Sequence, residues 1–144
     1  MATMAEQQIL FVPGLGDQSY FNKAGAGFVK RCLEQHGAKV TIFAPRWCAE
    51  EPFQEKRERL TRQIDLLSTK GNISLVGHSA GGSLSANAFI EKLNTVTGLV
   101  VVAGRLKKED NLDRAAKKVQ HSSNQLFHLK IVKQIYLKKI EKES

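Results

Sequence analysis

The stretch Ile73-Ser74-Leu75-Val76-Gly77-His78-Ser79-Ala80-Gly81-Gly82 decides how the rest of this 144-residue chain is read. Ile73, Leu75 and Val76 form a short apolar run with two β-branched members, the composition of a buried strand. Gly77-His78-Ser79-Ala80-Gly81 follows at once, matches G-x-S-x-G and leads into a segment of helical periodicity. Strand, tight turn and helix in that order predict a strained turn that lifts the Ser79 hydroxyl out at the carboxyl end of a sheet. Such a turn needs little or no side chain on either flank, and Gly77 and Gly81 supply that. It also leaves the first N–H groups of the next helix unpaired and directed at the same spot. The plainer alternative is an ordinary strand-to-helix turn in which Ser79 only caps the helix.

Upstream, Ile9-Leu10-Phe11-Val12 reads as the first buried strand and runs into Pro13-Gly14-Leu15-Gly16-Asp17. Two close glycines after a strand mark a loop whose backbone can approach a ligand. A dinucleotide fingerprint would need glycine at position 19, which is Ser19, and an acidic residue where Lys39 stands. No cofactor is expected on that ground. Residues 22–35 read as a helix with Phe28, Cys32 and Gln35 on one face and Val29 and Leu33 nearby, ended by Gly37. Val40-Thr41-Ile42-Phe43 is the second strand. Residues 53–68 form a helix with Leu60, Ile64 and Leu67 as its apolar stripe, and Glu55–Arg59 and Glu58–Arg62 as spaced pairs on the wet face. After the serine turn, Ala86, Phe89, Ile90 and Leu93 continue a buried helical face. Residues 98–103 are apolar without alternation, as in a strand covered on both faces.

Strands and helices therefore alternate four times. That pattern predicts an α/β fold, a three-layer, mostly parallel, doubly wound sheet of about four strands. Right-handed crossovers put all carboxyl ends on one edge, bringing the Gly14–Gly16 loop beside Ser79, at the edge where open α/β sheets bind ligands. Residues 1–104 make up this core. Residues 105–144 read as a basic helical tail of the same domain, with helices over 111–119 and 124–141.

Composition supports one globular domain: 42% of residues are hydrophobic and 25% charged. No apolar run is long enough to span a membrane, and the polar N-terminus has no signal-like segment. Cys32 fits a small core residue and Cys48 a loop. Two cysteines make neither a disulfide framework nor a metal site, so a reducing cytoplasm is the simple expectation. The net charge of +8 lies mostly in the tail: residues 1–104 carry 11 basic and 9 acidic side chains, residues 105–144 carry 11 and 5. A basic tail can meet nucleic acid or an anionic surface, but a solvated face is the commoner meaning.

Taken together, the Val12-Pro13-Gly14-Leu15-Gly16 loop, the Val76-to-Gly82 turn and the Leu99-to-Gly104 strand resemble the α/β-hydrolase superfamily, in particular its small serine hydrolases of esterase or lipase type. The resemblance spans roughly residues 9–104. It implies Ser79 as the nucleophile and an oxyanion hole built from the Ala80 and Leu15 N–H groups. It also implies a small ester, thioester or amide as substrate and an acyl-serine intermediate. In that superfamily an acid and a histidine follow on later strands. After Ala103 no further strand ends in Asp or His, so the chain looks like a shortened hydrolase. His121 and His128, with Asp110 or Asp113 to orient one of them, are the candidate bases. His36 belongs to the far edge of the sheet, and His78 should point away from the serine. The alternative function is an inactive hydrolase-like binding module that works through its basic tail.

Overall fold

A computed structural model describes residues 6–103. Among them, β1 (Gln8–Val12), β2 (Lys39–Ile42), β3 (Ile73–His78) and β4 (Val96–Val102) form one sheet in the order β2-β1-β3-β4, and every pairing is parallel. Three helices alternate with them: α1 (Tyr20–Glu34), α2 (Phe53–Ser68) and α3 (Ala80–Glu91). The α/β three-layer arrangement expected from the alternation is the one observed. The tail helices expected over 111–119 and 124–141, and the tail as a whole, lie outside the described residues.

Strand alternation explains the layers. Leu10 and Val12 of β1, Ile73 and Leu75 of β3, and Leu99 and Val101 of β4 point into the larger core, where Leu60, Ile64 and Leu67 of α2 meet Leu84, Ala88 and Phe89 of α3. Ile9 and Phe11 of β1, Val40 of β2 and Val76 of β3 face the other way, onto Ala26, Val29 and Leu33 of α1. Both faces of β1 are thus apolar, as a strand covered on two sides requires. The Leu60–Ile64–Leu67 stripe does what its spacing predicts: Leu60 and Ile64 are fully buried and Leu67 nearly so.

α1 departs from the reading of its sequence. It starts at Tyr20, behind Ser19, whose hydroxyl accepts from the Asn22 N–H at 3.3 Å as an N-cap. Its inward face is Ala26–Val29–Leu33, while Phe28 is largely exposed and Cys32 only half-buried. Ala26 lets the helix lie close to Phe11 and Val40, and that contact turns Phe28 outwards. β4 begins two residues before the apolar run, because Val96 and Thr97 join it through a register shift opposite Ile73 and Ser74.

The order of the strands matters for the site. From β1 the chain steps outward to β2, returns past β1 to β3, and then steps the opposite way to β4. The direction of winding therefore reverses between β1 and β3, and α1 and α3 leave those two strands on opposite faces. A crevice opens at such a reversal, outside the carboxyl ends.

Because Leu60 is fully buried between α2, α3 and the sheet, Leu60→Ala should lower stability by about 2–5 kcal/mol. A urea melt followed by circular dichroism reads the change. A loss well under 1 kcal/mol would contradict the packing described.

Candidate active site

Ser79 sits between the last residue of β3 and the first of α3, with φ 53° and ψ −123°. This is a sparsely populated backbone region for a residue with a side chain, worth of order 1–3 kcal/mol of strain. The turn is pinned on both sides: the Ser79 N–H donates to the Val102 carbonyl at 2.9 Å, and the Gly82 N–H donates to the Ser79 carbonyl at 2.9 Å. The Ser79 side chain forms no capping hydrogen bond. The plain-cap reading of this serine therefore fails, and its hydroxyl is left uncommitted by the helix it precedes.

The glycines of the motif are there for close approach. A methyl group on Gly81 would collide with the Val12 carbonyl oxygen and lie 2.6 Å from that of Pro13. One on Gly77 would lie 2.6 Å from the Gly81 carbonyl oxygen and 2.7 Å from the Ser85 hydroxyl. The start of α3 is thus pressed against the end of β1, where the first Gly-rich loop departs. Gly14 in that loop stands against the serine itself: a methyl there would lie 2.8 Å from Ser79 Cβ and 3.4 Å from Ser79 Oγ. The loop and the serine turn meet at the winding reversal, as the sequence leads one to expect. Leu15 is the next residue, its side chain 68% exposed; Ala80 is the first residue of α3.

Of the other candidates, His36 and His78 lie among the described residues. His36 follows α1, at the end of the molecule from which β2 starts, with its Nδ1 2.8 Å from the Cys32 carbonyl oxygen. His78 ends β3 with an exposed side chain. His121, His128, Asp110 and Asp113 lie outside the described residues. Among the described residues no group of three or more His, Cys, Asp or Glu is placed to hold a metal ion, and no helix is long and apolar enough to cross a membrane.

Behind the Gly-rich loop lies a charged network that the spacing of residues did not reveal. Asp17, only 6% exposed, accepts from the Arg46 N–H at 2.9 Å, the Trp47 N–H at 3.2 Å and the Gln18 amide at 2.9 Å. Burial alone would raise its carboxyl pKa, but the Gln18 side chain and the backbone N–H groups outweigh that and hold it below the ordinary value. Trp47 Nε1 donates to the Pro13 carbonyl at 3.0 Å. Arg59 does not turn to Glu55, as helical spacing suggests. It reaches back to Glu51, with bonds of 2.6 and 2.8 Å, and donates to the carbonyls of Ala44 and Pro45. Lys56, 3% exposed, donates to the Arg46 carbonyl at 2.9 Å and to Glu51 at 3.3 Å. Glu58 likewise turns to Gln54, at 3.2 Å, rather than forming the Glu58–Arg62 pair expected from spacing. One clue in the sequence was Trp47, whose single N–H donor needs a partner when partly buried.

The Arg59 hydrogen bond, reinforced by Lys56 and opposed by burial, drives the Glu51 carboxyl down to about 2 from 4.5. A carboxylate held lower in the fold than in the unfolded chain stabilises above its unfolded pKa and loses that contribution as pH falls through the folded value. Stability should therefore drop between about pH 5 and pH 2, and Glu51→Gln should flatten that acid limb. Urea midpoints measured at stepped pH test this; parallel limbs in the two proteins would refute it. In the turn itself, Gly81→Ala should cost at least about 1–3 kcal/mol, the usual penalty for forcing extra volume into a close contact, and thermal melts would show it.

No family model and no curated protein matches this chain. Solved structures do resemble it. One reported with LipS and LipT, two metagenome-derived lipolytic enzymes, superposes with a TM-score of 0.57 at 15% identity over 85% of this chain and 51% of that one. The monoacylglycerol lipase of Paleococcus ferrophilus gives 0.56 at 18% identity, over 84% and 50% of the two chains. The N-formylmaleamic acid deformylase of Pseudomonas putida S16 gives 0.55 at 15% identity, over 81% and 48%. The chain spans about half the length of each of these proteins, and at such identities the likeness is one of fold. The described part of this chain has the α/β-hydrolase fold.

Proposed function

We propose that this chain is a serine hydrolase of α/β-hydrolase type, acting on a small ester, thioester or amide. One observation carries the reading: Ser79 is held in strained backbone, with its hydroxyl free of the helix cap, against a glycine loop at the winding reversal. Strain of this kind persists where surrounding structure enforces it, and it clusters at functional positions.

In the mechanism that follows, Ser79 Oγ attacks the substrate carbonyl carbon while a base takes its proton. The carbonyl oxygen gains negative charge and is met by the N–H groups of Ala80 and Leu15; losing one such donor typically lowers turnover ~100- to 1,000-fold. The tetrahedral intermediate collapses, the bond to the leaving group breaks, and the leaving group takes the proton. Water then attacks the acyl-Ser79 ester by the same route and regenerates the serine. His121 or His128 is the base in this reading, oriented by Asp110 or Asp113. No cofactor takes part. Solved structures of the same fold include lipolytic enzymes and a deformylase, which supports a hydrolytic reading in general terms.

A second reading, a binding module without turnover, draws on the +6 charge of residues 105–144. Binding to a polyanion through that segment would weaken steeply between low and physiological salt.

A fluorophosphonate probe tests the first reading directly. The wild-type chain should be labelled and Ser79→Ala should not. Equal labelling of the two, or none of the wild type, would remove Ser79 as an activated nucleophile.

A further inference from the structure

Two ties join the glycine loop to the 44–47 segment, and they fall on either side of Gly14-Leu15-Gly16. Before the tripeptide, the Pro13 carbonyl accepts from Trp47 Nε1 at 3.0 Å. After it, the Asp17 carboxylate accepts from the N–H groups of Arg46 and Trp47 at 2.9 and 3.2 Å. The 44–47 segment is in turn fixed from its far side, where Arg59 and Lys56 hold the carbonyls of Ala44, Pro45 and Arg46. Arg46, at the middle of this contact, has φ 54°, a left-handed conformation that a residue with a side chain adopts only when held there. By contrast, the Leu15 side chain is mostly in solvent and packs on little. The Leu15 N–H side of the peptide is therefore set mainly by the flanks, since the one direct bond to Leu15, from the Asn22 amide at 3.4 Å, reaches its carbonyl. Asn22 adds bonds from its amide to the Gly16 carbonyl at 2.8 Å and to the Leu15 carbonyl at 3.4 Å, but it springs from α1 and not from the 44–47 segment.

We propose that Asp17 is a positioning residue: by gripping the Arg46 and Trp47 N–H groups it locks the Gly14–Gly16 loop to a braced segment and so sets the Leu15 N–H in place against Ser79. This rests on the acyl-transfer reading above and adds to it a residue that touches neither substrate nor reacting atoms. A neutral amide at this position can accept from only one of the two N–H groups without presenting its own NH2 to the other. The loop then loses one of its anchors while Ser79, the helix start and the sheet stay as they are. A donor displaced by about 1 Å is enough to lower a rate about 100-fold.

The full-length wild type, Asp17→Asn, Asp17→Ala and Ile64→Val are compared, the last as a core variant remote from the loop. Fluorophosphonate labelling of Ser79 is followed as a rate constant at saturating probe together with the apparent probe affinity. Backbone amide exchange over 13–18 and 44–48 is read by mass spectrometry on the same proteins. Asp17→Asn should slow labelling by about 10- to 100-fold, with apparent affinity changed by less than about twofold. Asp17→Ala should be slower still, and Ile64→Val should label like the wild type at temperatures below its melt. Exchange should accelerate in both segments for the Asp17 variants alone. A folded Asp17→Asn that labels at the wild-type rate, or unchanged exchange in either segment, overturns the proposal. A wild-type chain inert to the probe overturns the acyl-transfer reading instead, and the exchange comparison then decides the lock by itself.

Discussion

The contact between the first turn of α3 and the last residues of β1 is the constraint on which the site depends. At Gly81 there is no room for a methyl group beside the Val12 and Pro13 carbonyls. This approach brings the helix start, with Ala80 as its first residue, beside the loop that leaves β1. It also leaves the serine between strand and helix no relaxed way to bridge them, and Ser79 takes up φ 53° as a result. The strain is local, but the forces that hold it are not. The Ser79 N–H is bonded to Val102 on β4, and Gly14, against the serine, belongs to the loop after β1. Three strands of one parallel sheet therefore fix a single turn.

The loop beside that turn would be soft without support, since it contains two glycines and an exposed leucine. Its support is electrostatic. Asp17 takes two backbone N–H groups of the 44–47 segment, and Lys56 and Arg59 take three of its carbonyls. Glu51 balances both cations. A buried cation left unpaired is strongly unfavourable, so Lys56, with its side chain nearly sealed from solvent, makes the arrangement all-or-none. The cations also lie near aromatic faces, Arg59 5.1 Å from the Phe43 ring centre and Lys56 6.0 Å from that of Trp47. By comparison, the ion pairs that join α2 to α3, Arg57–Glu91 and Lys92–Asp65, each have one partner well in solvent and add little. Stability in the helix layer comes from Leu60, Ile64, Leu84 and Phe89, whereas order around the loop comes from charge.

β4 forms one edge of the described sheet. Val100 and Val102, on the face that α1 covers further along, are 38% and 48% exposed. The larger core on the opposite face is closed by α2 and α3, so the two sides of β4 are treated differently: Leu99 and Val101 are buried there. This chain matches about half the length of the solved structures of this fold.

The alternation of apolar runs with helical stripes was enough, by itself, to determine a parallel three-layer fold. Period-two and period-3.6 burial are local properties, and they read correctly at β1, α2 and β3. The placement of Ser79 beside Gly14 was legible for a related reason: right-handed crossovers leave few arrangements open, and all of them put strand carboxyl ends on one edge. The facing of α1 was not legible, because helical spacing alone does not choose between Phe28 and Ala26, and it is packing against Phe11 and Val40 that takes Ala26 inward and leaves Phe28 exposed. Nor was the Asp17 network, whose partners are about thirty residues away and mostly backbone atoms, which carry no residue-specific signal. Helical spacing pointed Arg59 to Glu55; only tertiary structure showed that Glu51, held on the preceding loop near two carbonyls, offers it a better-satisfied site.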